Sequence, residues 1–266
     1  MDFLEAIVLG IVQGIAEWIP ISSEGLTTLI AVNLLEGSTL NEIITVSLYL
    51  HLGTFFAALI YFKKDVVYLI KQVFQYKKAD EETKNLINFY VIATLVSGGL
   101  GLLILKGITG LESVIALSQG AILMALGILL VATGLLQVWR KYEGERDPAD
   151  LKLSDGVIVG IAQGLAVVPG LSRSGLTVSV LLLRKFKDTQ ALKLSFILSL
   201  PIVLIGNVVL NTSQFIFTWG SLIGLVMSFI FGLITIHFLL RLSERFQFGW
   251  FVLLFGILVM ASVFIY

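Results

Sequence analysis

The chain has 266 residues, of which 57% are hydrophobic and 14% charged, with a mean hydropathy of +0.98 and a formal net charge of zero. That composition lies outside the range of soluble domains, makes a bilayer the chain's solvent, and argues against nucleic acid as a partner. There is no cysteine, which excludes disulfides, thiolate metal sites and a cysteine nucleophile.

In chain order, the first element is an apolar arm over 3–17 that breaks at a polar stretch and resumes as a short arm over 25–35. Asp2 and Glu5 stand where a signal peptide would be basic, and no small-residue cleavage site follows, so this segment is expected to be retained. Three apolar stretches follow, at about 42–62, 86–106 and 116–139. A second interrupted segment comes next, with arms over 156–168 and 174–184, and then three more stretches at about 191–211, 218–240 and 248–266. Each of the six uninterrupted stretches suffices to cross about 30 Å of hydrocarbon, which takes roughly 20 helical residues. Neither interrupted segment has an arm that long. Broken backbone at membrane depth survives only where protein or a polar cavity surrounds it, so each reads as a re-entrant helix-break-helix hairpin.

The two interrupted segments are copies. GIVQGIAEWIPISSEGLT, residues 10–27, returns as GIAQGLAVVPGLSRSGLT, residues 160–177, with identity at nine of eighteen positions. A hairpin followed by three crossings inverts the next copy, giving an all-α integral membrane fold with an inverted-topology repeat. It comprises six transmembrane helices plus two re-entrant hairpins in one membrane domain, 1–266, with repeat 1 at about 1–140 and repeat 2 at about 150–266. The loops at 62–86, 140–155, 184–193 and 241–247 hold sixteen of the eighteen lysines and arginines, and the other face holds Lys106 alone. By the positive-inside rule both termini of this multi-pass cell-membrane protein are expected outside, with the two hairpin tips meeting near the midplane. The lysine-rich 62–86 stretch reads as a solvated cytoplasmic connection with some attraction to anionic lipid.

The breaks carry the chemistry. Glu17 ends the first arm, and an ionisable group at that depth is costly enough to be a functional candidate. Ser22, Ser23, Glu24 and Gly25 open the next arm. In the second copy Ser172, Arg173, Ser174 and Gly175 place a guanidinium between hydroxyls at a helix start, followed by Thr177. A planar guanidinium, serine hydroxyls and two helix N-termini are donors suited to phosphate oxygens. Gln13 shares a helix face with Glu17. Glu17 is a candidate base or ligand for a divalent cation, or alternatively one half of a Glu17–Arg173 ion pair that only ties the tips together. Ser22 and Ser23 are nucleophile candidates or helix caps, capping being the preferred role from sequence. Glu24 is a dipole-stabilising first-turn residue or a second acid. Gln13 and Gln163 are candidates for hydrogen bonding across the repeat interface. His51 and His237 read as packed or interfacial, His51 being the one a folded bundle could bring to the tips. Gly98, Gly99, Gly101, Gly120 and Gly127 read as permitting close helix packing.

On the motifs QGIAEWIPISSEG (13–25) and PGLSRSGLT (169–177), the chain resembles the BacA-type undecaprenyl-diphosphate phosphatases over essentially its whole length. The family's (E/Q)xxxE pattern falls on Gln13 and Glu17, its serine motif on Ser22 and Ser23, and its arginine loop on Ser172, Arg173, Ser174 and Thr177. The resemblance implies hydrolysis of a polyprenyl diphosphate lipid to the monophosphate, aided by a divalent cation, Mg2+ or Ca2+. Many members carry a catalytic histidine directly after the SSxG turn, where this chain has Leu26, and Glu24 replaces the usual small residue. A group elsewhere must then supply the missing acid or base, or the site binds lipid phosphate without efficient hydrolysis, as a transporter or flippase would. Beyond substrate and membrane lipids, the sequence is compatible with a homo-oligomer.

Overall fold

A computed structural model of the chain describes residues 1–19, 22–35, 40–108, 124, 127–128, 131–132, 134–135, 138, 144–168, 171–211, 218–245 and 248–262. Among them the regular structure is helical, apart from an isolated bridge between Arg146 and Phe186. The helices are α1 (Phe3–Ala16), α2 (Ser23–Leu34), α3 (Leu40–Tyr61), α4 (Lys63–Phe74), α5 (Glu81–Ile108), α6 (Leu153–Leu165), α7 (Arg173–Leu183), α8 (Asp188–Asn211), α9 (Trp219–Arg245) and α10 (Phe248–Ser262). The expected stretch at 116–139 lies mostly outside the described residues. Among the described residues three helices are long and apolar enough to cross a bilayer, over Glu81–Gly107, Asp188–Val208 and Trp219–Glu244. With 22 residues, α3 is about 33 Å long at 1.5 Å per residue. The protein is a multi-pass helical membrane protein.

The two interrupted segments form helix pairs, α1 with α2 and α6 with α7, starting and stopping for matching reasons. Asp2 accepts from the Glu5 amide at 2.8 Å and Glu5 from the Asp2 amide at 2.5 Å, a capping box at the start of α1. Asp155, at the offset of the repeat from Glu5, accepts from the Lys152 amide at 2.8 Å at the start of α6. Buried Asp155 also receives Arg146 and Arg184, which fastens the segment before α6 to the corner after α7. The α6 end tightens through i→i−3 bonds from Ala166 and Val167. The breaks themselves contain residues 20–21 and 169–170, outside the described set.

The most extensive helix packing joins α1 to α9 and α6 to α5. Both contacts run along glycines four residues apart. A Cβ on Gly14 would sit 2.7 Å from the Ser228 carbonyl oxygen, and one on Gly160 would sit 2.8 Å from Val96 Cβ. Small residues let backbones approach where lipid offers no hydrophobic drive. Of the glycines expected in that role, Gly127 does approach the Gly256 carbonyl, whereas Gly98 and Gly99 face open space and Gly101 has only ordinary contacts. Gly120 lies outside the described residues. Close approach also occurs at the glycines within the repeat, Gly10, Gly14, Gly160 and Gly164.

The 62–86 stretch is not simply a connecting loop. It contains α4, which turns from α3 by 80°, and a short 3-10 turn over Tyr76–Lys78.

Candidate active site

Glu17 caps the C-terminal end of α1, its amide bonded to the Gln13 carbonyl at 3.1 Å. Its side chain is buried and receives donors from four elements. Arg173, on the first turn of α7, pairs with Oε1 through Nη2. On Oε2 converge Gln13 Nε2 at 2.8 Å, Ser23 Oγ at 2.8 Å and His51 Nε2 at 3.3 Å. Glu17, at the end of α1, and Arg173, at the start of α7, therefore meet across the two copies of the repeat. The Glu17–Arg173 ion pair is present, and the same carboxylate is also contacted by Gln13, Ser23 and His51.

His51 lies mid-helix in α3, 25 positions from Leu26 in sequence, yet it reaches the carboxylate. Of the readings open for this residue, the contact matches the one in which the folded bundle brings it to Glu17. Its Nδ1 lies 2.7 Å from the Ser47 carbonyl oxygen, which only accepts, so Nδ1 carries a proton. Nε2 can then face a carboxylate oxygen attractively only if a second proton lies between them. His237, by contrast, pairs with the Tyr61 hydroxyl at 3.1 Å, away from the tips.

The serines divide by role. Ser22 Oγ accepts from the Gly25 amide and Ser172 Oγ from the Gly175 amide, both at 3.0 Å, so each caps its helix in the same way. Ser23, on the first turn of α2, instead aims its hydroxyl at Glu17. Ser174 Oγ donates to the Ile19 carbonyl at 2.9 Å, stitching the second tip to the first, and stands 3.2 Å from Ser172 Oγ. Thr177 is fully buried, donating to the Arg173 carbonyl at 2.8 Å and meeting Ser195 Oγ at 2.6 Å. It braces the arginine turn from behind. Glu24 occupies the first turn of α2, half-buried. The two glutamines do not bond each other: Gln13 joins Glu17 and accepts from Thr27 at 3.2 Å, while Gln163 donates to Ser97 at 3.0 Å. Position 167, matching Glu17, is valine, so Gln163 has no carboxylate to hold.

One buried donor in this centre is unspent, Arg173 Nη1; Trp18 Nε1 is also buried without a partner but lies against Gly232 of α9. Trp18 is wedged edge-on against Phe196, with the Arg173 guanidinium 6.0 Å from its ring centre. First-turn amides of α2 and α7 have no intrahelical carbonyl to meet, and they point the positive ends of two helices into the same region. The centre is built to receive an anion. Among the described residues no three His, Cys, Asp or Glu side chains cluster, and both Glu17 oxygens face donors.

The sequence matches the family model described as "Bacitracin resistance protein BacA" over residues 6–260. Among curated relatives, the undecaprenyl-diphosphatase of Methanococcoides burtonii is 40% identical over 271 residues, spanning 100% of both chains. That of Methanothrix thermoacetophila is 37% identical over 269 residues, spanning 98% of this chain and 97% of the relative. That of Haloarcula marismortui is 38% identical over 254 residues, spanning 92% and 91%.

Proposed function

The chain belongs to the bacitracin resistance protein BacA family, and from that premise we propose that it is a polyprenyl-diphosphate phosphatase, converting an undecaprenyl-type lipid diphosphate to monophosphate and orthophosphate. The observation that carries the reading is the buried, unpartnered Arg173 Nη1 between two helix N-termini. Glu17 holds Nη2 and so aims the other limb of the fork at the phosphate.

Ser23 Oγ attacks the terminal phosphorus and passes its proton toward Glu17. The anhydride P–O bond breaks, and the polyprenyl monophosphate leaves with the proton held at His51 Nε2. Water then attacks phosphoserine, releasing orthophosphate and restoring Ser23. Arg173 and the first-turn amides, including those of Glu24 and Ser174, hold the charge that builds on the phosphoryl oxygens. Gln13 orients Glu17, while Ser22, Ser172, Gly25, Gly175 and Thr177 fix the two turns. A divalent cation, Mg2+ or Ca2+, would be held by Glu17 together with the diphosphate and would supply positive charge against the phosphate oxygens.

We place this centre in an inverted repeat of six spans and two re-entrant hairpins, with both termini outside. The matched caps, the crosswise packing of α1 on α9 and α6 on α5, and the lysine and arginine distribution support that layout. A transporter that binds lipid phosphate without hydrolysis was favoured by Leu26, and His51 beside Glu17 removes that ground. In sealed vesicles with labelled polyprenyl diphosphate, orthophosphate and lipid monophosphate should appear in equal amounts. Transfer of intact diphosphate between leaflets without orthophosphate would overturn the assignment.

A further inference from the structure

We propose that α4 is an interfacial helix that lies in the headgroup region and binds an anionic bilayer surface. Its position follows from its neighbours. The preceding α3 is long enough to cross the hydrocarbon, and α5 crosses again from Glu81, so the intervening segment stays at one face of the membrane. The 80° turn after Tyr61 lays α4 across that face instead of continuing through it. Buried Phe62 anchors the bend in the core.

The sides of α4 are chemically distinct. One is fastened to the protein: Asp65 receives Lys193 at 2.7 Å, the Tyr68 hydroxyl meets Thr83 Oγ1 at 2.8 Å, and Val66 and Leu69 pack against the core. A second is apolar and uncovered. Val67, Ile70 and Phe74 recur at helical spacing, with Val73 beside them, and Phe74 is 86% exposed. A third edge carries Lys64 and Lys71, two turns apart, and neither has a carboxylate within ion-pair distance among the described residues. Lys77 and Lys78 extend the charge onto the following turn. The acids that follow are engaged locally, Asp80 with the Thr83 amide and Glu81 with Lys84.

An apolar stripe bordered by lysines, tethered at both ends to spanning helices, matches acyl chains below and lipid phosphates alongside. No residue of the phosphatase centre takes part. The positive-inside distribution puts this face toward the cytoplasmic leaflet, where anionic lipid is concentrated.

Because the chain has no cysteine, single nitroxide labels test the idea directly. Ile70→Cys, Phe74→Cys, Lys64→Cys and Lys71→Cys would each be labelled and reconstituted into phosphatidylglycerol or phosphatidylcholine vesicles. Collision with apolar oxygen relative to a water-soluble nickel complex should be several-fold higher at 70 and 74 than at 64 and 71. In the Phe74-labelled protein, phosphatidylglycerol should slow nitroxide motion relative to phosphatidylcholine, and Lys64→Gln with Lys71→Gln should erase that difference. Equal nickel access at all four positions would overturn the interfacial placement, and identical spectra in the two lipids would overturn the anionic preference.

Discussion

Removing Arg173 separates the two things its guanidinium does, holding Glu17 and binding phosphate. In Arg173→Met the Glu17 carboxylate, whose side chain is only 4% exposed, keeps Gln13, Ser23 and His51 on Oε2 but loses its partner on Oε1. Stranding one member of a buried pair costs about 3–5 kcal/mol, and the three surviving donors place the expected loss near the lower figure. At roughly 2–4 °C per kcal/mol for a chain of this size, the unfolding midpoint in detergent should fall by about 6–12 °C. Combining Glu17→Gln with Arg173→Met removes both charges, so the double variant should recover most of that loss. Phosphate release should nevertheless stay at least about 100-fold down in both, because the phosphate donor is absent in each. Thermal unfolding followed by tryptophan fluorescence, with the release assay on the same samples, reads both effects. An unshifted midpoint in Arg173→Met, or a double variant whose loss is the sum of the single losses, would refute the buried pair.

The two adjacent serines should behave differently: Ser22→Ala loses a helix cap worth about 1 kcal/mol with modest change in rate, whereas Ser23→Ala abolishes turnover while the protein unfolds at its usual temperature. Comparable loss of activity in both would dissolve the distinction, as read by melting and phosphate release. His51→Gln should lower kcat by about 100-fold with KM little changed, since Nε2 supplies a proton and no binding contact. Steady-state kinetics showing an unaltered kcat would remove His51 from the centre. Gly14→Leu must displace Ser228 or Phe231 and should cost more than the roughly 1–3 kcal/mol typical of overpacked cores, seen as a loss of monodisperse protein on size exclusion. Gly98→Leu, facing open space, should leave the elution profile as it was.

What was legible in the sequence had a local or periodic signature. The duplicated 10–27 and 160–177 segments predict both helix pairs because a cap, a break and a glycine spacing are all set by near neighbours, and the arms fall within a few residues of those expected. The meeting of Glu17 with Arg173 follows from the same duplication, since neither charge could stay unpartnered at membrane depth. His51 left no such signal. Its approach to Glu17 depends on how α3 lies against α1, and nothing near residue 51 in sequence encodes a carboxylate near residue 17. Helix α4 was hidden for another reason: five lysines dominate the composition of its neighbourhood, while the Val67, Ile70 and Phe74 spacing beneath them has an ordinary helical period.

The central claim, that the joined hairpin tips transfer a phosphoryl group, is tested most directly by orthophosphate release from a long-chain polyprenyl diphosphate by purified protein, with Mg2+ or Ca2+ and then with chelator. The prediction is turnover that declines on chelation and vanishes in Glu17→Gln and Arg173→Ala. No release from protein that still binds the lipid diphosphate, or release unaffected by either substitution, would contradict it.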